Sequence, residues 1–154
     1  MHAAIDAALA GHYDDVSFAT GIIARLATGS GRLEWSCAGH PRPLLLRGRK
    51  IVAELSCDPV LPFGLGDRAP EPRVAELEPG DAVLLYTDGV TEARSADGEL
   101  FGLDRLADLL EREAASGRTA EELLRRLVRA VLEHQGGGGL RDDATLLLVQ
   151  WTGT

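Results

Sequence analysis

The chain reads as an α+β fold, with helices packed on a largely antiparallel sheet. Three observations predict it. The apolar segments come as strands first, then two helices, then one returning strand, which suits α+β rather than alternating β-α-β units. Short Gly-containing turns separate early strand pairs, the signature of hairpins. The two helical segments carry leucines three and four residues apart, so each presents one apolar face.

The elements follow in order. Residues 2–11 are Ala-rich and read as a short helix, or the end of a longer one. Residues 18–26 are β-rich, Thr28-Gly29-Ser30-Gly31 is a turn, and residues 32–38 alternate polar and apolar. Together they predict an antiparallel hairpin. Residues 44–47 and 51–55 flank Gly48-Arg49-Lys50 and predict a second hairpin. Residues 56–72 hold Pro59, Pro62, Pro70, Pro72, Gly64 and Gly66, a density that argues for a loop because proline cannot donate to a ladder. Residues 73–77 alternate as a strand, Pro79-Gly80 signals a turn, and residues 81–87 form the next strand. A helix over about 103–114 places Leu103, Leu106, Ala107 and Leu110 on one face. A second helix, about 120–134, starts at Thr119 with Glu122 in capping-box relation. Its apolar face is Leu123, Leu127, Ala130 and Val131, with Leu124, Val128 and Leu132 beside it. Gly136 to Gly139 ends that helix, and residues 144–151 close the chain as a strand. The glycine run follows a helix and lacks Gly-Lys-Ser/Thr, so a flexible connection is expected rather than a phosphate loop. There is no internal repeat and no linker long enough to divide domains.

Composition narrows the function. The 154 residues carry a net charge of −8, and no basic stripe of the kind that nucleic-acid binding requires is present. Arg125, Arg126 and Arg129 alternate with acids on a helix, as on a solvated face. No apolar run reaches the roughly 18–20 residues of a membrane span, and the start carries no signal-peptide pattern. Cys37 and Cys57 form no CxxC and no zinc-type cluster. Two free thiols in a reducing cytoplasm are expected; a disulfide between them is the alternative. His2, His12 and His134 are expected at the surface.

Two acidic turns carry the chemistry. Tyr86-Thr87-Asp88-Gly89-Val90 follows the apolar run 82–85, and Arg141-Asp142-Asp143-Ala144-Thr145 precedes the apolar run 146–149. Each puts a carboxylate at the mouth of a buried strand. If the two strands are neighbours, the carboxylates converge, and convergent hard oxygen ligands suit Mg²⁺ or Mn²⁺. Taken singly, each turn is more commonly an ordinary surface turn.

Several further stretches decide between those readings. They are Phe18-Ala19-Thr20-Gly21, Ala38-Gly39-His40-Pro41 with Pro43-Leu44-Leu45, Pro62-Phe63-Gly64 and Leu77-Glu78-Pro79-Gly80-Asp81, followed by residues 85–93 around Asp88, Gly98-Glu99-Leu100-Phe101-Gly102, and Asp142-Asp143-Ala144-Thr145. In this order they resemble the SpoIIE-like, PPM-class (type 2C) metal-dependent serine/threonine protein phosphatases of bacteria, over nearly the whole chain. The resemblance implies an α-β-β-α sandwich of two mainly antiparallel sheets flanked by helices, with a two-metal Mn²⁺ or Mg²⁺ site at one end. It implies Asp88 and Asp142 as metal ligands, with Asp143 reaching a metal directly or through water. Gly89 would let the chain turn behind Asp88. Glu92 lies one helical turn past Asp88 and faces the site, or else is a solvated or capping residue. His40 sits where the wider class has an acidic turn near a metal; a histidine that fixes the turn by hydrogen bonds is the preferred alternative. Glu99 is expected to be structural.

The resemblance implies hydrolysis of phosphoserine or phosphothreonine by metal-activated water. The substrate would be a phosphorylated regulatory protein such as an anti-sigma-factor antagonist, in the cytoplasm, with no nucleic acid or membrane partner. The family also carries a metal-binding Asp in an early Gly-Asp turn. Gly66-Asp67 and Gly80-Asp81 lack its surroundings, so residues 1–152 are expected to be a partial domain lacking the N-terminal strands. Weak activity or none, and a homodimer through the bared strand edges, are the corresponding expectations. The alternative is a catalytically silent pseudophosphatase that binds a phosphoprotein.

Overall fold

The computed structural model describes residues 1–10, 18–65, 69–136 and 143–153. Its elements are α1 (His2–Ala10), β1 (Gly21–Ala27), β2 (Arg32–Ala38), β3 (Leu44–Arg47), β4 (Lys50–Glu54), β5 (Arg73–Glu76), β6 (Ala82–Tyr86), α2 (Asp88–Thr91), α3 (Leu103–Ala115), α4 (Ala120–His134) and β7 (Leu146–Gln150). The chain divides into two compact units, Met1–Arg42 with Ser56–Pro79 and Gly153–Thr154, and Pro43–Leu55 with Gly80–Thr152.

The first unit holds an antiparallel sheet of order β1-β2-β5. The predicted hairpin is present, with Gly21 opposite Ala38 and Ala27 opposite Arg32. Trp35 is buried on β2 and donates its indole N–H to the Ser56 carbonyl at 3.1 Å. The described part of the proline-rich segment is fastened at Phe63 and Gly64. Phe63 exchanges two backbone bonds with Ala19 and is buried. The Gly64 N–H donates to the Asp6 carboxylate at 2.7 Å. Cys37 and Cys57 are joined in a disulfide with Cα atoms 5.7 Å apart, which corrects the expectation of free thiols. Cys37 is the last residue but one of β2 and Cys57 lies in the loop that follows β4, and the two, 20 residues apart, meet. His2 also departs from expectation. It is half-buried, bonds the Ser36 hydroxyl at 3.0 Å and packs its ring against Phe63. Burial pushes its pKa down, only partly opposed by Asp6.

The second unit holds an antiparallel sheet of order β4-β3-β6-β7 and the helices α2, α3 and α4. Gly48 and Arg49 both have positive φ, 56° and 72°, the backbone of a two-residue hairpin turn. The Pro79-Gly80 turn makes no hairpin: β5 pairs with β2, whereas β6 pairs with β3 and β7. Alternate residues Leu44, Leu46, Leu84 and Tyr86 join Leu106, Leu110, Leu127 and Val131 in one buried cluster. Both helices are amphipathic as predicted, although Leu109 is buried and Val128 is 43% exposed. The Thr119 hydroxyl accepts the Glu122 N–H at 3.2 Å, as the capping pattern requires. Arg125, Arg126 and Arg129 pair with Glu121, Glu122 and Glu133 along the solvated face of α4. His134 is partly buried, bonding Arg105 and the Glu99 carbonyl at 2.9 Å each. Glu99 therefore anchors the segment before α3, consistent with a structural role.

Candidate metal centre

β6 is an apolar run buried in the second unit, and it runs antiparallel to β7 with Tyr86 opposite Leu146. The end of β6 therefore meets the start of β7, and the two acidic turns adjoin. Beyond the last ladder pair the Thr87 N–H donates to the Thr145 carbonyl at 3.1 Å. The Thr145 N–H donates back to the Thr87 hydroxyl at 2.9 Å. Asp88 then opens α2, and its carboxylate accepts the Gly89 N–H at 2.9 Å.

Gly89 explains how closely the turns approach. It is buried, and a Cβ built on it would lie 3.0 Å from the Asp143 carbonyl carbon and press against its oxygen. Glycine is thus required here because another backbone passes close by.

Asp88 and Asp143 lie on these adjoining segments, and both are exposed. Asp142 lies outside the described residues. Among the described residues no three His, Cys, Asp or Glu side chains gather closely enough to hold a metal ion. Asp88 and Asp143 both carry carboxylates, the donor type that suits Mg²⁺ or Mn²⁺, which keep several waters and take one or two carboxylates. Glu92 is exposed at the C-cap of α2, where its backbone N–H donates to the Asp88 carbonyl at 2.8 Å. His40 belongs to the first unit, and its Nδ1 bonds the Pro41 carbonyl at 3.1 Å. That is the turn-fixing arrangement. Behind the site, burial pushes the Tyr86 phenol pKa up, and the Glu54 carboxylate adds to the shift. Thr87 was given no role by the sequence pattern. The available signal was a threonine placed just before Asp-Gly, at a helix N-cap.

Solved PP2C-type phosphatase domains share this fold, with TM-scores of 0.74, 0.65 and 0.59. The first comprises the RsbU and RsbW domains of Rv1364c from Mycobacterium tuberculosis, at 30% identity over 87% of this chain and 37% of that one. The family described as Stage II sporulation protein E matches residues 1–152, and the chain belongs to it. Among curated relatives, Protein IcfG of Synechocystis is 28% identical over 138 residues, 90% of this chain. Phosphoserine phosphatase RsbU of Bacillus subtilis is 36% identical over 74 residues, 48% of this chain. The chain spans 21% of the length of each of these two relatives.

Proposed function

We propose that this chain hydrolyses phosphoserine or phosphothreonine on a regulatory protein such as an anti-sigma-factor antagonist. The observation that carries the reading is the β6–β7 pairing, which sets the Asp88 turn against Asp143. Family membership and the relative named as a phosphoserine phosphatase support it. Hydrolysis forms one P–O bond to water and breaks the bond to the serine or threonine oxygen, which leaves as a hydroxyl. Asp88, Asp143 and Asp142 are the residues assigned to hold Mn²⁺ or Mg²⁺, with Gly89 keeping the turns close. When bound, such ions supply a water of lowered pKa and positive charge against the phosphoryl oxygens. Phosphate monoesters are among the slowest substrates to hydrolyse unaided, so that help is large.

None of the described helices is long and apolar enough to cross a membrane. We place the protein in the cytoplasm beside its substrate. Among the described strands β7 ends its sheet, and Leu147 on it is 54% exposed. Pairing of two copies along that edge is the proposed route to a homodimer, and sedimentation reads it directly. The functional test is Mn²⁺-dependent phosphate release from a phosphoserine protein. Release that is lost in Asp88→Asn and Asp142→Asn supports the phosphatase. No release together with no Mn²⁺ binding points instead to a silent binding module.

A further inference from the structure

We propose that Thr87 is a positioning residue for the metal centre. Its hydroxyl holds the 143–145 segment at a set spacing from Asp88. The inference rests on the reading of Asp88 and Asp143 as metal ligands.

Thr87 is the N-cap of α2, with φ −86° and ψ 160°. A threonine there ordinarily accepts a hydrogen bond from an N–H in the first turn of its own helix. The Thr87 hydroxyl makes no such cap bond. It accepts instead from the N–H of Thr145, 58 residues along the chain. The backbone explains the diversion. In a continuing ladder, the Thr87 carbonyl would receive the Thr145 N–H. That carbonyl has turned to accept the Val90 N–H at 3.1 Å and start α2. The side-chain oxygen takes its place, and with the Thr87 N–H bonded to the Thr145 carbonyl at 3.1 Å the strand pairing gains one more rung.

That rung sits beside the candidate ligands. Asp88 follows Thr87 directly, and Asp143 precedes Thr145 by two residues. The 143–145 segment is therefore held at both ends, at Thr145 by the Thr87 N–H and hydroxyl and at Asp143 by the close approach of Gly89. Mg²⁺ demands near-ideal ligand placement. Partners that hold metal ligands in place typically contribute 10–100-fold in affinity.

The test is a Mn²⁺ titration of the full 154-residue chain, read by paramagnetic broadening of backbone amides, which detects weak sites. In the wild type, the Gly89 and Ala144 amides should broaden together. Thr87→Val keeps the shape and removes the acceptor. It should need about tenfold more Mn²⁺, and its Thr145 amide should exchange hydrogen faster. Thr87→Ser restores the hydroxyl and should behave as wild type in both readouts. Wild-type broadening and exchange in Thr87→Val would overturn the proposal, as would failure of Thr87→Ser to rescue. Absence of broadening near Gly89 in the wild type, or its survival in Asp88→Asn, would overturn the underlying ligand assignment instead. Loss in Asp88→Asn with no change in Thr87→Val would leave the ligands in place and remove only the role of Thr87.

Discussion

Replacing Gly89 with alanine tests the close approach of the two acidic turns. The added Cβ would lie 3.0 Å from the Asp143 carbonyl carbon, against an ordinary carbon–carbon separation of about 3.5–4.0 Å. The obstacle is backbone, so no side chain can rotate out of the way. The turns must part by roughly 0.5–1 Å, against the Thr87–Thr145 bonds that hold them. Overpacking costs about 1–3 kcal/mol, and a clash with backbone falls in the upper part of that range, about 2–3 kcal/mol. Alanine recovers about 0.8–1 kcal/mol as the better helix former in α2. The net loss is then about 1–2 kcal/mol. For a chain of this size each kcal/mol lowers Tm by about 2–4 °C, so a fall of roughly 2–8 °C is expected. Calorimetry measures it, and a Mn²⁺ titration of the same variant should show weaker binding because Asp143 is displaced. An unchanged or higher Tm with unchanged Mn²⁺ affinity would refute the packing argument.

Three further outcomes are expected. Arg47 donates to both oxygens of Asp81, at 3.1 and 2.7 Å, and Asp81 is only 2% exposed. Arg47→Met strips that pairing from a buried carboxylate and should cost about 3 kcal/mol in urea unfolding; a loss well under 1 kcal/mol would contradict the assignment. The Glu111 carboxyl pKa is held down by the Lys50 ammonium and then by the Ile51 N–H. A depressed carboxylate contributes its stability above the unfolded pKa and loses it as pH falls through the lower folded value. Lys50→Met should therefore raise the Glu111 titration midpoint, followed by carboxyl NMR, and an unmoved midpoint would count against the ion pair. A bridge between residues 20 apart contributes about 3 kcal/mol, so Cys57→Ser should lower Tm by roughly 6–12 °C. Identical melting of wild type and variant, with two alkylatable thiols in the untreated protein, would show that the bridge does not form.

Much of the architecture was legible because it is written locally. Apolar spacing marked α3 and α4, Thr119 with Glu122 marked a helix start, and Gly48-Arg49-Lys50 marked a hairpin, whose turn proves to be Gly48-Arg49 alone. What escaped depends on residues far apart in sequence. Nothing near Pro79-Gly80 says that β5 and β6 belong to different sheets, because their partners, β2 and β3, lie earlier in the chain. The disulfide needed the fold that brings Cys57 back to β2. The half-burial of His2 depends on Phe63, and that of His134 on Glu99 and Arg105. At the candidate site, the Asp-Gly turn and the acids before β7 were visible as motifs, and the β6–β7 register brings the Asp88 turn beside the segment that holds Asp143. The work of Thr87 was invisible because its acceptor role is defined by an N–H 58 residues away.

On the proposed reading, the Asp88 turn and the acids before β7 form one cradle for a divalent cation. A crystal of this chain soaked in Mn²⁺, with anomalous data collected at the manganese edge, addresses it directly. A manganese peak is expected between the Asp88 carboxylate and the Asp142–Asp143 pair, with Asp143 reached directly or through water. A peak bound elsewhere, or none at these carboxylates under saturating Mn²⁺, would contradict it.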